Sequence, residues 1–223
     1  MLIRFIVSNF MSFKEETEFN MLKSKGNGSR KLIEHVIETK SNVKVLKTAA
    51  IYGANAAGKS NLIKAISFLK SLVVSDVELL VPQSKRFRLD EKYINKSSTF
   101  RIEFEFDDQH FDYAVEIYKG KIVDEWLYLI NSINNEKEEL LYRRENRNVT
   151  FGDYFQKSSD LIYAEKFLKK ELRDTQTVLN ACYNVFDENK ILDKAFNSFE
   201  KIKIFNPDTI DFDYASDILM NQK

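Results

Sequence analysis

The run Gly53-Ala-Asn-Ala-Ala-Gly58-Lys59-Ser60 limits what this chain can fold into more than any other feature. It matches G-x-x-x-x-G-K-[ST] and stands between two apolar patterns. Before it lies the short run Ala49-Ala50-Ile51-Tyr52, suited to a buried strand. After it, Leu62, Ile63, Ile66, Leu69, Leu72 and Val73 recur at helical spacing and predict one apolar helix face. Strand, glycine loop and helix in that order make the context in which such a loop cradles phosphate. Gly53 and Gly58 allow backbone angles closed to residues with a Cβ, so that successive N–H groups turn inward. The exposed N–H groups and positive dipole end of the helix add to that field. Lys59 supplies a cation to the β- and γ-phosphates of a nucleoside triphosphate, and the Ser60 hydroxyl ligates the Mg²⁺ that bridges them. The expected ligands are therefore ATP and Mg²⁺. Gly53, Ala54, Asn55, Ala56, Ala57, Gly58, Lys59, Ser60 and Asn61 form the expected site, with Ser60 as metal ligand. The plainer alternative is a glycine turn capping a helix with an exposed lysine.

The pattern on either side predicts the surroundings. Leu2, Ile3, Phe5, Ile6, Val7 and Phe10 mark a first strand and Phe13 to Met21 a second, with a hairpin near Asn9 to Ser12. Lys23 to Arg30 reads as a loop, and a mixed segment follows to Lys47. From Phe100 the period becomes two. Phe100, Ile102, Phe104 and Phe106 alternate with polar residues, and after a turn at Asp107 to His110 the alternation resumes at Phe111, Tyr113, Val115 and Ile117. Gly120 precedes a third strand at Ile122 to Ile130, and Asn131 to Glu136 separates that from Leu140 to Arg144, completing an antiparallel meander. Helical spacing returns at Leu161 to Leu172, Val178 to Phe186 and Ile191 to Ile204, with Pro207 ending the run. The predicted division is a P-loop core lobe with an antiparallel β subdomain over 1–157 and a helical segment over 158–223.

Composition narrows the partners. The 34 Lys+Arg balance the 34 Asp+Glu, so no global field draws the chain to nucleic acid or an anionic membrane. The single cysteine, Cys182, allows neither an intramolecular disulfide nor a cysteine zinc site. Arg4 and Asn9 interrupt the apolar N-terminus, and no run of about 18 apolar residues occurs. A cytoplasmic protein without signal peptide or membrane span is expected.

The opening LIRFIVSNFMSF, the loop GANAAGKSNLIKAI and the later EFEFDDQHFDYAVEIYKGKIVDEWLYL resemble the N-terminal half of the AAA-type, ABC-like ATPases of the SMC, RecF and OLD kind. Within that group the resemblance is to bacterial ATP-binding proteins linked to abortive infection and other anti-phage systems, over roughly Met1 to Pro207. The P-loop is specific only for the superfamily, whereas Val7-Ser-Asn-Phe10 and Glu125-Trp-Leu-Tyr128 point more narrowly. The resemblance implies an α/β fold: an ABC/SMC-like P-loop NTPase head lobe with an antiparallel meander and a C-terminal helical segment. It also implies that Ser12 and Phe13, beside Asn9 and Phe10, line the adenine; a plain β-turn in the core is the alternative.

Family members complete the site with an LSGG-like signature, a Walker B strand ending in Asp-Glu, and a switch histidine. None follows here, so the expectation is a lobe cut before Walker B, whether natural truncation, split half or fragment. Val185-Phe186-Asp187-Glu188 superficially suggests Walker B, but Val178, Leu179, Cys182, Val185 and Phe186 fit a helical face. Catalytic residues stay unassigned, and hydrolysis is expected to need a second segment or subunit. Self-association or a partner would be met through apolar residues of the late helices, namely Phe167, Leu168 and Leu172, then Phe196, Phe199 and Ile202.

Other candidates are weaker. Gln83 and Gln109 could each serve as a glutamine that senses metal and attacking water, although both sit in turn or loop contexts. His35 and His110 form no metal-ligand pattern. Arg143, Arg144 and Arg147, like Lys166, Lys169, Lys170 and Arg173, could touch nucleic acid, but short basic clusters in a neutral chain are by default solvated. Trp126 reads as a packing residue. A P-loop GTPase or small-molecule kinase is a further alternative; a GTPase would need D-x-x-G, yet Ile117 and Val149 stand three residues before Gly120 and Gly152, and no N-K-x-D motif occurs. A non-enzymatic nucleotide-binding module remains the other alternative.

Overall fold

Alternating apolar and polar residues commit one face of a sheet to the core, and the computed structural model builds that sheet. It describes residues 1–24, 33–75, 86–131, 137–156, 158, 160–183 and 190–205. Among these the strands are β1 (Leu2–Ser8), β2 (Thr17–Asn20), β3 (Val36–Glu38), β4 (Lys44–Leu46), β5 (Ser98–Phe106), β6 (Gln109–Tyr118), β7 (Lys121–Asn131), β8 (Lys137–Glu145) and β9 (Asn148–Phe151). Seven of them join in the order β2-β1-β5-β6-β7-β8-β9, each pair antiparallel, while β3 and β4 pair separately. The expected turn at Asp107 to His110 tightens to two residues: Asp107 and Asp108 take φ of 50° and 62°, and Gln109 already faces Phe106 across the hairpin. Lys119 and Gly120, at 50° and 76°, close the next hairpin the same way. Two left-handed residues in a two-residue loop match the twist of the strands they join.

Helices cover the apolar face. They are α1 (Lys59–Val74), α2 (Glu91–Ile94), α3 (Leu161–Glu171), α4 (Val178–Ala181) and α5 (Ile191–Lys201). Leu62, Ala65, Leu69, Leu72 and Val73 of α1 share one core with Phe5, Val7, Phe100, Ile102, Tyr113 and Leu127 of the sheet. The result is a mixed α/β layer structure, helices on one side of an antiparallel sheet. No helix among the described residues is long and apolar enough to cross a membrane.

Several expectations change here. The run Ala49 to Tyr52 is neither a strand nor buried: it carries no sheet pairing, and Tyr52 is 89 % exposed. Its apolar character suits a buried strand, but it joins neither the seven-stranded sheet nor the β3–β4 pair, and apolarity alone does not supply a ladder. The second strand is shorter than Phe13 to Met21, because Phe13 instead closes a tight turn with Phe10. Ile63 is exposed, leaving the helix face to its i+3 and i+4 partners. The stretch up to Lys47 contains β3 and β4, where Ile3, Met21 and Val45 form a small second core. Helix α5 stops at Lys201, before reaching Ile204 or Pro207, since Lys70 Nζ donates to the Ile202 carbonyl at 2.5 Å and ends the turn. Leu168, Leu172, Phe196 and Phe199, expected to face a partner, are buried in the chain's own core; Phe199 packs edge-on against Phe104 and Tyr113. Only Ala181 and the residues before it continue the helix begun at Val178, and Val185 to Glu188, Gln83 and Pro207 lie outside the described residues.

Strand β7 holds one more surprise. Its inward positions are Glu125, Leu127 and Leu129, so Trp126 points to the opposite face, half-buried, and Glu125 is the residue in the core. Glu125 accepts hydrogen bonds from the Tyr142 hydroxyl at 2.7 Å, the Tyr113 hydroxyl at 3.1 Å, and the N–H groups of Val178 and Leu179 at 2.8 and 3.3 Å. Arg144, read above as part of a solvated cluster, is fully buried 3.9 Å away. Its guanidinium donates to the carbonyls of Asn146, Gln176 and Arg173. Burial pushes the Glu125 carboxyl above its usual range, against the pull of Arg144 and the Val178 N–H. Beside it the Tyr113 and Tyr142 hydroxyls are driven well above theirs, chiefly by burial. The Asn180 amide then donates to the Val73 carbonyl at 2.9 Å and fastens α4 to the end of α1. Glu125→Ala leaves two buried N–H groups and two buried tyrosine hydroxyls without their acceptor and the Arg144 guanidinium without its counter-ion. It is expected to cost about 3–5 kcal/mol in denaturant unfolding, with Glu125→Gln losing less because it keeps an acceptor in place.

Candidate nucleotide site

The loop at 53–60 ends where α1 begins. Gly58 is the N-cap residue with φ of 91°, a left-handed angle that favours glycine, and no side chain caps the helix. The Leu62 N–H makes the first intrahelical bond, to the Gly58 carbonyl at 3.1 Å, so the N–H groups of Lys59, Ser60 and Asn61 precede the helix's own ladder. The division of labour between the glycines differs from expectation. Gly53 has no left-handed φ, whereas Ala56 does, at 64°, with the Ala57 N–H turned back to the Ala54 carbonyl at 3.2 Å. Residues Gly53 to Ala57 are exposed, as is Ser60.

Lys59 is folded over the loop. Its ammonium donates to the carbonyls of Gly53 and Ala54, both at 2.7 Å, so the cation sits among the backbone groups it was expected to serve. The Ser12–Phe13 pair lies directly against the same helix start. A Cβ on Gly58 would come within 3.0 Å of Ser12 Oγ and 3.9 Å of the Phe13 ring, and the Asn61 side-chain amide donates to Ser12 Oγ at 2.9 Å. The turn that carries Ser12 is firmly built. Asn9 and Met11 take φ of 48° and 51°, and Phe10 and Phe13 exchange backbone hydrogen bonds at 3.0 and 2.9 Å. The Asn9 amide donates to the carbonyls of Tyr93, Lys96 and Ser97, and the Phe10 ring packs on Phe68 and Phe100. A core β-turn and a rim on the loop are therefore the same structure. Spacing alone gave no sign of the Asn61–Ser12 contact, because 49 residues separate the two.

The remaining candidates lie elsewhere. Gln109 opens β6 at the hairpin whose Asp107 pairs with Lys194 of α5. His110 is buried with Nε2 at 2.8 Å from Glu103, and its Nδ1 has no partner; His35 is exposed. Arg143 pairs with Asp124 and Arg147 with Asp174. Among the described residues no group of three or more His, Cys, Asp and Glu is placed to hold a metal. Mg²⁺ bound with phosphates takes few protein ligands and keeps waters, so a single Ser60 hydroxyl fits an ion that arrives with a nucleotide. The chemistry on hand is an uncapped helix start, an ammonium and hydroxyls of Ser12 and Ser60, all suited to a polyphosphate.

Loop, helix and antiparallel sheet together define a P-loop NTPase-like AAA domain. The family model described as "AAA domain, putative AbiEii toxin, Type IV TA system" matches residues 49–176, and the chain belongs to that family. No curated protein matches it. The matched stretch runs from the exposed segment before the loop through the meander and α3 to Gln176, so the Ser12 turn stands outside it.

Gly58→Ala tests the fit of loop and turn. The left-handed angle costs about 1–2 kcal/mol with a Cβ, and the methyl presses on Ser12. A lower melting temperature and roughly tenfold weaker nucleotide binding are expected by calorimetry.

Proposed function

We propose that this chain binds ATP with Mg²⁺ at Gly53–Asn61 and serves as the nucleotide-binding lobe of an ABC/SMC-like ATPase in cytoplasmic anti-phage defence. The observation that carries the reading is the uncapped start of α1, set behind a glycine loop with Lys59 and Ser60 in its first turn. Backbone N–H groups there would take the phosphate oxygens, and Lys59 would exchange its two carbonyls for the β- and γ-phosphates. Ser60 would complete the shell of the metal, while Ser12 and Phe13 would border the nucleotide.

Hydrolysis needs an acid that positions water and metal, and the first turn of α1 has none. We assign that group, with the signature motif, to a second segment or subunit. The unpaired run Ala49 to Tyr52 supports the assignment: Ile51 and Tyr52 are exposed apolar side chains just before the loop, open to cover by a partner segment. Of the late helices, Leu168, Leu172, Phe196 and Phe199 are spent on the chain's own core, while Ile162 and Tyr163 of α3 stay exposed. This same self-sufficiency favours a second reading, a regulatory module that binds nucleotide without turning it over.

Lys59→Ala should weaken Mg-ATP binding by about 2–3 kcal/mol, roughly a hundredfold in Kd, with melting behaviour unchanged. Titration calorimetry of both proteins decides the point, and equal affinities would remove the site assignment. The purified chain alone should turn ATP over far below the ~1 s⁻¹ of competent enzymes. Faster steady-state release of phosphate would mean that the missing acid is already present.

A further inference from the structure

We infer that Asn61 is a positioning residue that makes the Ser12 hydroxyl a hydrogen-bond donor to a phosphate oxygen of the bound nucleotide. The inference rests on the P-loop reading above and adds a contact from outside the loop. A serine hydroxyl has one proton to give and two lone pairs to accept with. Asn61 fills one lone pair, donating from Nδ2 at 2.9 Å, and an amide nitrogen has no lone pair to take the hydroxyl proton in return. The Ser12 O–H is thereby left free to donate elsewhere. Ser12 is exposed, so this proton reaches solvent or a ligand rather than another core group.

Its surroundings fix which part of a ligand it meets. Ser12 Oγ lies 3.0 Å from the point where a Cβ on Gly58 would be, level with the helix start and beside Asn61, the third residue of the first turn. Open N–H groups collect phosphate at that level of the helix, so the acceptor nearest to Ser12 is a phosphate oxygen and not the base. The turn under Ser12 cannot drift, because Asn9 holds three carbonyls and the Phe10 ring is locked between Phe68 and Phe100. Gly58 then has two reasons to be glycine: its own left-handed angle and the room it leaves for this hydroxyl.

The test is a double-mutant cycle read by calorimetry on the full chain, with Mg-ATP and with Mg-tripolyphosphate, which has the phosphates but no nucleoside. Ser12→Ala and Asn61→Ala should each weaken both ligands about ten- to a hundredfold, the usual worth of one hydrogen bond to a charged acceptor. The double variant should bind no worse than Ser12→Ala alone, and Ser12→Thr, which keeps the hydroxyl, should bind like the parent. A purely structural tie between turn and helix would lower the melting temperature without this coupling. Additive losses, a parental affinity in Asn61→Ala, or a loss confined to ATP would each overturn the inference. If the parent chain binds neither ligand, the P-loop reading falls and takes this one with it. If Lys59→Ala abolishes binding while Ser12→Ala and Asn61→Ala leave it intact, only this inference falls.

Discussion

A carboxyl group in an apolar core organises this molecule. Removing an ion from water costs several kcal/mol, and the cost is met only where a full set of donors converges on it. Around Glu125 the donors are tyrosines of β6 and β8 and the N–H groups that open α4, with the Arg144 guanidinium as counter-ion 3.9 Å away. The requirement is geometric. The meander and the segment after Leu172 satisfy Glu125 in one relative placement, and Arg144 repeats the constraint by gripping carbonyls of Arg173 and Gln176. Through Asn180 and Val73 that placement is handed to the last turn of α1.

Helix α1 is consequently held along its length. Phe68, just past its midpoint, leans on Phe10 and Phe100, Lys70 ties the next turn to the end of α5, and Asn61 holds its start to Ser12. Movement is left to the exposed residues between Gly53 and Ala57, which pack against little beyond themselves. A rigid helix start facing a compliant loop suits a site that must close over a flexible chain of phosphates, since the fixed half sets position and the soft half supplies the grip.

How far the sequence was legible follows from where each signal is stored. The phosphate loop and helix α1 were readable because both depend on local rules, glycine at a left-handed cap and apolar spacing of 3.6. Strands β5 to β8 were readable from their alternation. Strand β9 was not, being four residues long and defined by its pairing with β8, and β3 with β4 escaped for the same reason. The errors at Ala49–Tyr52 and at Phe196 and Phe199 have one origin: apolarity says that a residue seeks cover but not what covers it. Arg144 was misplaced because charge suggests solvent until a partner is known, and the burial of Glu125 gave no sign in the sequence because its partners come from other strands and from α4. At the candidate site the sequence located the loop and the helix start it leads into, but the exchange of roles between Gly53 and Ala56, and the touch of Ser12 on Asn61, exist only in three dimensions.

The posture of Lys59 has a kinetic meaning. Its ammonium is clasped by the Gly53 and Ala54 carbonyls, which supply the oxygen acceptors that phosphate would supply on the proposed reading. Arrival of nucleotide is then a swap and not a simple addition, and the measured affinity is the difference between two sets of bonds to one cation. Lone inorganic phosphate, which offers the cation less than a triphosphate does, is the weaker rival for that swap. If the proposed site holds, the clasp would act as a threshold that a triphosphate, with more oxygens to offer the cation, crosses more readily than a smaller anion.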